Sequence, residues 1–240
     1  MDEIDFGNER FNGVMAAGWI RDLESSDSRL HKEKTIEKAL MAARLGSADA
    51  QCFLFNCYQA YNPFYTFHVK QVPEVSGQSN QPNFWPRFWA LLESLRTRSV
   101  TGDAAREAIE DCAKYFDDDE WNTVCRRVII KDLRCGISEV TVNKVINKLK
   151  PVKQLKPQYL IPVFECQLAH DSANHESKVC GKKLIEVKLD GVRVLTIVYP
   201  DGRVNQYSRN GKELVNFGHI KSQFEQIATG LLEPWVFDGE

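Results

Sequence analysis

Apolar positions recur at helical spacing from residue 29 to about residue 150 and at strand spacing after residue 184, so the chain changes pattern once. RLHKEKTIEKALMAARLG, residues 29–46, keeps its apolar side chains three and four apart and runs into Gly46, a residue suited to a left-handed helix end. SADAQCFLFNCYQAY (47–61) and FWPRFWALLESLRTR (84–98) predict helices with wider apolar faces, and Trp85 and Trp89, four apart, predict core positions. VKQVPEVSGQSNQPN (69–83) collects Pro, Gly, Ser and Asn and predicts a surface loop. TGDAAREAIEDCAKYF (101–116) predicts a helix capped by Thr101 or Asp103, with Asp103 and Glu107 favourable in its first turn. DDDEWNTVCRRVIIKDLRCG (117–136) predicts a helix closed by Gly136. SEVTVNKVINKLKP (138–151) predicts one opened by Ser138 and stopped before Pro151.

After the Pro- and Lys-bearing segment PVKQLKPQYLIP the pattern is that of a sheet. LIEVKLDG, VRVLTIVY, RVNQYS and WVFDG are rich in Val, Ile and Tyr, and PDG and RNGK are hairpin-turn signals between them. A strand over 185–190 would place Glu186, Lys188 and Asp190 on one face and Ile185, Val187 and Leu189 on the other. The fold class expected is α+β: an all-helical domain over 1–150, a linker over 151–160 and a mainly antiparallel sheet domain over 161–240.

Composition narrows the setting. The 240 residues are 43% hydrophobic and 27% charged, an ordinary globular balance. MDEIDFGNERFNG lacks a signal-peptide core, and no run approaches the roughly 18 apolar residues of a membrane span. An intracellular protein is expected, in a bacterial host's cytoplasm or, if eukaryotic or viral, the nucleus. Seven cysteines without a Cys-x-x-Cys pair point to reduced, packed thiols. Net charge is −2, but residues 101–120 carry eight acids against two bases, net −6, and residues 126–156 nine bases against two acids, net +7. The second run has the charge density that phosphate backbones attract, and equally that of two solvated helix faces.

The lysine in IEVKLDGVR sets a chemical problem. Deprotonating a free lysine at pH 7 costs about 4.6 kcal/mol from a pKa near 10.4, and flanking acids raise that cost. As a surface salt bridge the pattern is unremarkable; as a nucleophile it requires the acids to serve a ligand or metal instead. YSRNG (207–211) and WVFDGE (235–240) add Arg209, Asp238 and Glu240 at strand ends, a set suited to a metal-bound nucleoside triphosphate.

KLDGVR, SRNG and FDGE, in this order, resemble motifs I, Ia and III of the covalent nucleotidyltransferases, which include ATP-dependent DNA ligases, RNA ligases and mRNA capping enzymes. The resemblance implies that Lys188 becomes adenylylated by ATP, that Glu186 reads the base edge, that Arg193 and Arg209 contact ribose and phosphates, and that Glu240 binds ribose or assists Mg²⁺. Asp190 would shape the turn. TGDAA followed by CRRVIIKDLRCGISEVTVNKV resembles the N-terminal DNA-binding domain of phage-type ATP-dependent DNA ligases. This implies nicked duplex DNA as partner, met by Arg126, Arg127, Lys131, Arg134 and Lys144, and a monomer sealing nicks in replication, repair or recombination. RNA ligases and capping enzymes, without such a helical domain, are the alternative relatives.

The sequence stops at motif III, ahead of the family's later glutamate, lysine pair and C-terminal domain. The 240 residues alone are therefore expected to be inactive without a separate or spliced C-terminal polypeptide, and a non-catalytic nick-binding fragment is the alternative. Cys166, His170, His175 and Cys180 have the ligand types of a zinc site, but their spacing matches no common finger.

Overall fold

The computed structural model describes residues 9–78, 82–149, 159–164, 177, 180–182 and 190–240. It divides into two compact units, Met1–Val163 and Phe164–Glu240.

The first unit is helical: α1 Ala17–Glu24, α2 Arg29–Arg44, α3 Ala48–Tyr61, α4 Trp85–Arg96, α5 Gly102–Ala113, α6 Asp118–Glu120, a π-helical turn Trp121–Cys125, α7 Arg126–Ile129 and α8 Glu139–Leu149. The capping rules account for several ends. Ser47 accepts the Ala50 amide at the start of α3, and Asp117 accepts the Glu120 amide at 2.8 Å. Gly46, at φ +96°, closes α2 with its amide on the Ala43 carbonyl. The core is aromatic: Trp85, Phe88, Phe116 and Trp121 are fully buried, with Trp85 and Phe116 edge to face at 5.1 Å. Trp89 is 8% exposed and donates to Asn56 Oδ1 at 3.2 Å, so the Trp85/Trp89 pair is core, as expected. Cys52, Cys57, Cys112, Cys125 and Cys135 are buried free thiols.

Two helices had no counterpart in the sequence reading. α1 buries only the short stripe Ala17, Ile20 and Leu23, and Ala16 has no side chain that can cap it. Its cap is remote: Glu120 Oε1 accepts the Ala17 amide at 2.8 Å. In the second unit α9, Gly218–Ala228, fully buries only Ala228. A third difference concerns closure of the 117–136 segment. The helix ends at Ile129 rather than at Gly136, because Lys131 adopts the left-handed conformation (φ +65°) and donates its amide to the Val128 carbonyl. Gly136, at φ +68°, turns the following loop.

Loop 62–78 contains no regular element, yet the rod from α6 to Lys131 fixes its backbone along its length. Asp118 accepts the Gly77 and Gln78 amides at 2.7 and 3.0 Å. Asn122 both accepts from the Val75 amide and donates to its carbonyl, at 3.1 and 2.9 Å. Trp121 Nε1 donates to Pro73 O at 3.0 Å, Arg126 Nε to Val72 O at 2.8 Å, and Lys131 Nζ to Asn62 O at 2.6 Å. A loop has no ladder of its own, so its polar backbone groups are satisfied by side chains.

The second unit is built on β1 Val194–Val198, β2 Val204–Ser208 and β3 Trp235–Gly239, antiparallel in the order β2-β1-β3. With the helices this gives the expected α+β class. Thr196 pairs with Gln206 on one side and Phe237 on the other, which fixes the register. One face, with Val198, Val204 and Phe237, packs on Phe224 and Ala228 of α9. Gly202, at φ +91°, closes the β1–β2 turn with its amide on the Tyr199 carbonyl, as the PDG signal implied. The expected strand over 185–190 lies outside the described residues except for Asp190.

The division between units falls after Val163, not before Ile161. Asn143 holds the Ile161 backbone at both its amide and its carbonyl, at 2.9 and 2.8 Å, and Tyr159 and Ile161 are buried in the helical core.

Candidate functional site

On the sheet face opposite α9, the pleat aligns Leu195 with Tyr207 and Asp238. The turn that follows Asp190 is fastened to this face by the end of β3. Glu240 Oε1 accepts the Gly191 amide at 3.1 Å. Arg193 Nε donates to Asp238 Oδ1 at 2.8 Å, and its Nη2 donates to Asp238 Oδ2. The guanidinium holds the Asp238 carboxyl below its ordinary pKa, mainly through that hydrogen bond. With side chains 26% and 39% exposed, the pair contributes orientation more than stability. The chain thus brings the last residues of KLDGVR and the FDGE segment to one corner of the sheet.

Arg209 stands in the turn after β2, where the Ser208 amide donates to Lys212 O at 2.8 Å and the Gly211 amide to Ser208 O at 2.9 Å. Gly211 is required twice over: its φ is +76°, and a Cβ there would collide with the Phe164 ring, which packs on Tyr207. Glu186 and Lys188 lie outside the described residues, as do Cys166, His170 and His175; Cys180 is exposed. Among the described residues no three His, Cys, Asp or Glu side chains gather as a metal site. Glu240 is a single exposed carboxylate, which fits a magnesium ion carried largely by phosphate oxygens and not an all-protein cage.

The basic residues of the helical unit divide sharply. Arg126 also pairs with Glu74 at 2.9 Å. Arg127 pairs with Glu24 and donates to Leu133 O at 3.0 Å. Lys131 caps α3, donating to the Gln59 and Asn62 carbonyls at 3.1 and 2.6 Å, and burial pushes its ammonium down to about 8. Arg134 and Lys144 are more open: Arg134 lies 3.9 Å from Asp132 with a side chain 57% exposed, and Lys144 donates to Glu33 at 2.6 Å while half exposed. Sequence reasoning named Asp238 as a strand-end carboxylate but not its pairing with Arg193, nor the part of Gly191, both of which depend on the β1–β3 register, and it did not single out the separate cations Lys70, Arg98 and Arg106.

Comparison with known proteins places the chain beside ligases. It is 31% identical over 134 residues to the DNA ligases of Enterobacteria phages T4 and T6, covering 54% of this chain and 25% of theirs. Two solved structures, titled Pmar-Lig_PreS3 and Pmar-Lig_Pre., are 44% identical, with a TM-score of 0.76, over 95% of this chain and 50% of theirs. No family model matches. The chain is thus similar to phage DNA ligases, the likeness its motifs suggested, and spans a quarter of the length of the phage proteins and half that of the solved ones. No helix among the described residues is long and apolar enough to cross a membrane.

Proposed function

We propose that the chain is the DNA-engaging and nucleotide-charging portion of an ATP-dependent ligase that seals nicks in duplex DNA. The observation that carries this is the corner of the sheet. Glu240 on the Gly191 amide, and Asp238 on Arg193, hold the turn two residues beyond Lys188 against the end of β3. Nucleotidyl transfer depends on an aligned nucleophile and fixed cationic partners for the phosphates more than on acid–base chemistry.

In this reading Lys188 attacks the α-phosphate of ATP, a nitrogen–phosphorus bond forms and pyrophosphate leaves. AMP then passes to a 5′-phosphate at the nick, and the adjoining 3′-hydroxyl displaces it. Glu186 reads the base, Arg193 and Arg209 bind ribose and phosphates, and Asp238 keeps the Arg193 fork in one orientation. Glu240 contributes to Mg²⁺ binding, the ion supplying charge neutralisation at the phosphates. Arg134 and Lys144 are the residues of the 126–144 stretch best placed to meet DNA. Arg126, Arg127 and Lys131 serve it by shaping the surface.

At the length of its solved relatives, the protein incubated with ATP labelled in the α-phosphate should retain label through denaturing electrophoresis. Lys188→Ala should remove it. Label retained in that variant would overturn the nucleophile assignment.

A further inference from the structure

Loop 62–78, fixed by the rod behind it, forms one wall of a groove whose other wall is the Arg98–Thr101 connection and the first turns of α5. Lys70 stands on the loop side and Arg98 and Arg106 on the other, all three exposed. The side chains of Lys70 and Arg98 have no ionic or hydrogen-bond partner among the described residues. Arg106 lies 3.3 Å from Asp103, but both side chains are largely in solvent, so that pair constrains it little. No carboxylate lines the groove. This is unexpected for a chain of net charge −2, and more so because α5 lies within the run of net charge −6. Its carboxylates lie outside the groove, and its one arginine lines it.

The loop wall is also held in place. Arg126 and Trp121 hold the Val72 and Pro73 carbonyls, and the Lys131 ammonium sits 5.7 Å from the centre of the Phe67 ring. His68 and Arg98, one on each wall, both take left-handed backbone (φ +57° and +58°) that non-glycine residues seldom adopt. Long, flexible, exposed cations on a fixed frame, with the polar residues His68, Gln71 and Thr101 beside them, provide charge without base-reading geometry.

We propose that this groove is a phosphate-backbone contact for duplex DNA, made by Lys70, Arg98 and Arg106 and separate from the 126–144 stretch. The inference rests on the reading of the chain as DNA-engaging and adds a second, sequence-independent contact to it. Each backbone phosphate neutralised contributes about −0.9 to the slope of log affinity against log salt.

The test is fluorescence anisotropy of the 240-residue chain on a labelled nicked duplex, titrated between about 50 and 200 mM salt, the range over which phosphate contacts show most clearly. The double variant Lys70→Gln, Arg98→Gln should flatten the slope by about 2 and lower affinity at least about tenfold at low salt. Gln71→Glu, which places a carboxylate in the groove without removing a cation, should also weaken binding. Unchanged thermal melting of both variants would show that the loss is not unfolding. If the unaltered chain binds and neither variant weakens it, the groove assignment falls and the DNA-engaging reading stands. If the unaltered chain does not bind the duplex at low salt, both fall.

Discussion

Lys131 and Lys70 carry the same charge in the same helical unit and have opposite fates. Lys131 belongs to the densest basic run in the sequence, yet its ammonium is buried against the Gln59 and Asn62 carbonyls. Lys70 stands alone in a loop between Val69 and Gln71, and its charge is available to a partner. The difference lies in what each backbone neighbourhood lacks. The end of α3 leaves carbonyls without intrahelical partners, and a long cationic donor just beyond the end of α7 satisfies them. Loop 69–78 has its backbone satisfied from behind by Asn122, Trp121 and Arg126, which leaves the Lys70 and Gln71 side chains exposed. A run of lysine and arginine along a chain is therefore a poor map of surface potential when the helices that carry it also serve as backing for a loop.

The strongest way to break this contrast is to remove the buried member. Lys131→Ala should strand two carbonyls and empty the space of the side-chain stem, costing about 3 kcal/mol in urea unfolding. Lys131→Met, which keeps the stem, should recover part of that. A loss under about 0.5 kcal/mol in both would mean that water replaces the ammonium at no cost, and that Lys131 is as available to DNA as Lys70.

What the sequence disclosed divides along the same line. Helices α2 to α5, strands β1 to β3 and the hairpin turns were legible because each is specified locally, by apolar spacing, by ends such as Ser47 and Gly46, or by the PDG turn. α1 was not, because its cap comes from Glu120, 103 positions away. The end of α7 was not, because a lysine took the left-handed position that rules assign to glycine. In the candidate site the motif residues could be read as a set, but the Arg193–Asp238 and Gly191–Glu240 contacts depend on register between strands distant in the chain. The groove cations come from three segments, none conspicuously basic, so no local charge count could gather them.

Glu120 provides the next test, since it is the acidic counterpart of Lys131 on the same rod. Its Oε2 is buried without a hydrogen-bond partner among the described residues, and desolvation, only partly opposed by the Ala17 and Ala16 amides, raises its pKa to about 7. The folded state therefore holds a proton that the unfolded chain releases near 4.5. Stability from this group is greatest at low pH and is lost as pH rises from about 4.5 to about 7, by on the order of 3 kcal/mol at about 1.4 per pH unit. Carboxyls held low by cations, such as Glu33 beside Lys144 and Asp111 beside Arg87, change stability in the opposite sense below that window. Urea unfolding of the unaltered chain and of Glu120→Gln, which keeps an acceptor for Ala17, should diverge across pH 5 to 7.5 in favour of the variant. Parallel pH curves would show that Glu120 is ionised throughout.

A smaller effect is expected at Arg126, which is partly exposed and shares the loop with Trp121 and Asn122. Arg126→Gln should cost about 1–2 kcal/mol, the worth of one charge-assisted hydrogen bond to Val72 with a weak ion pair beside it. It should also loosen the loop, and hydrogen exchange at the Val75 and Gly77 amides should quicken. Protection unchanged at both amides would mean that Asn122 and Asp118 hold the loop unaided.

The smallest stability effect belongs to the residues given the largest binding effect. The Lys70 and Arg98 side chains touch no carbonyl and pair with no acid among the described residues, so replacing both with glutamine should shift urea unfolding by less than about 0.5 kcal/mol, the usual range for exposed positions. Arg98 keeps its left-handed backbone in either form, because glutamine pays the same Cβ penalty as arginine at φ +58°. Removing two positive charges from a segment bordering α5 also relieves no attraction that the fold uses, since no carboxylate lines the groove. Stabilisation of the chain by that double substitution, beyond about 0.5 kcal/mol, would show that the cations repel one another in the folded state. Such repulsion is what a surface kept for an anionic partner would carry, whereas a solvated helix face would show no gain and no loss of DNA affinity.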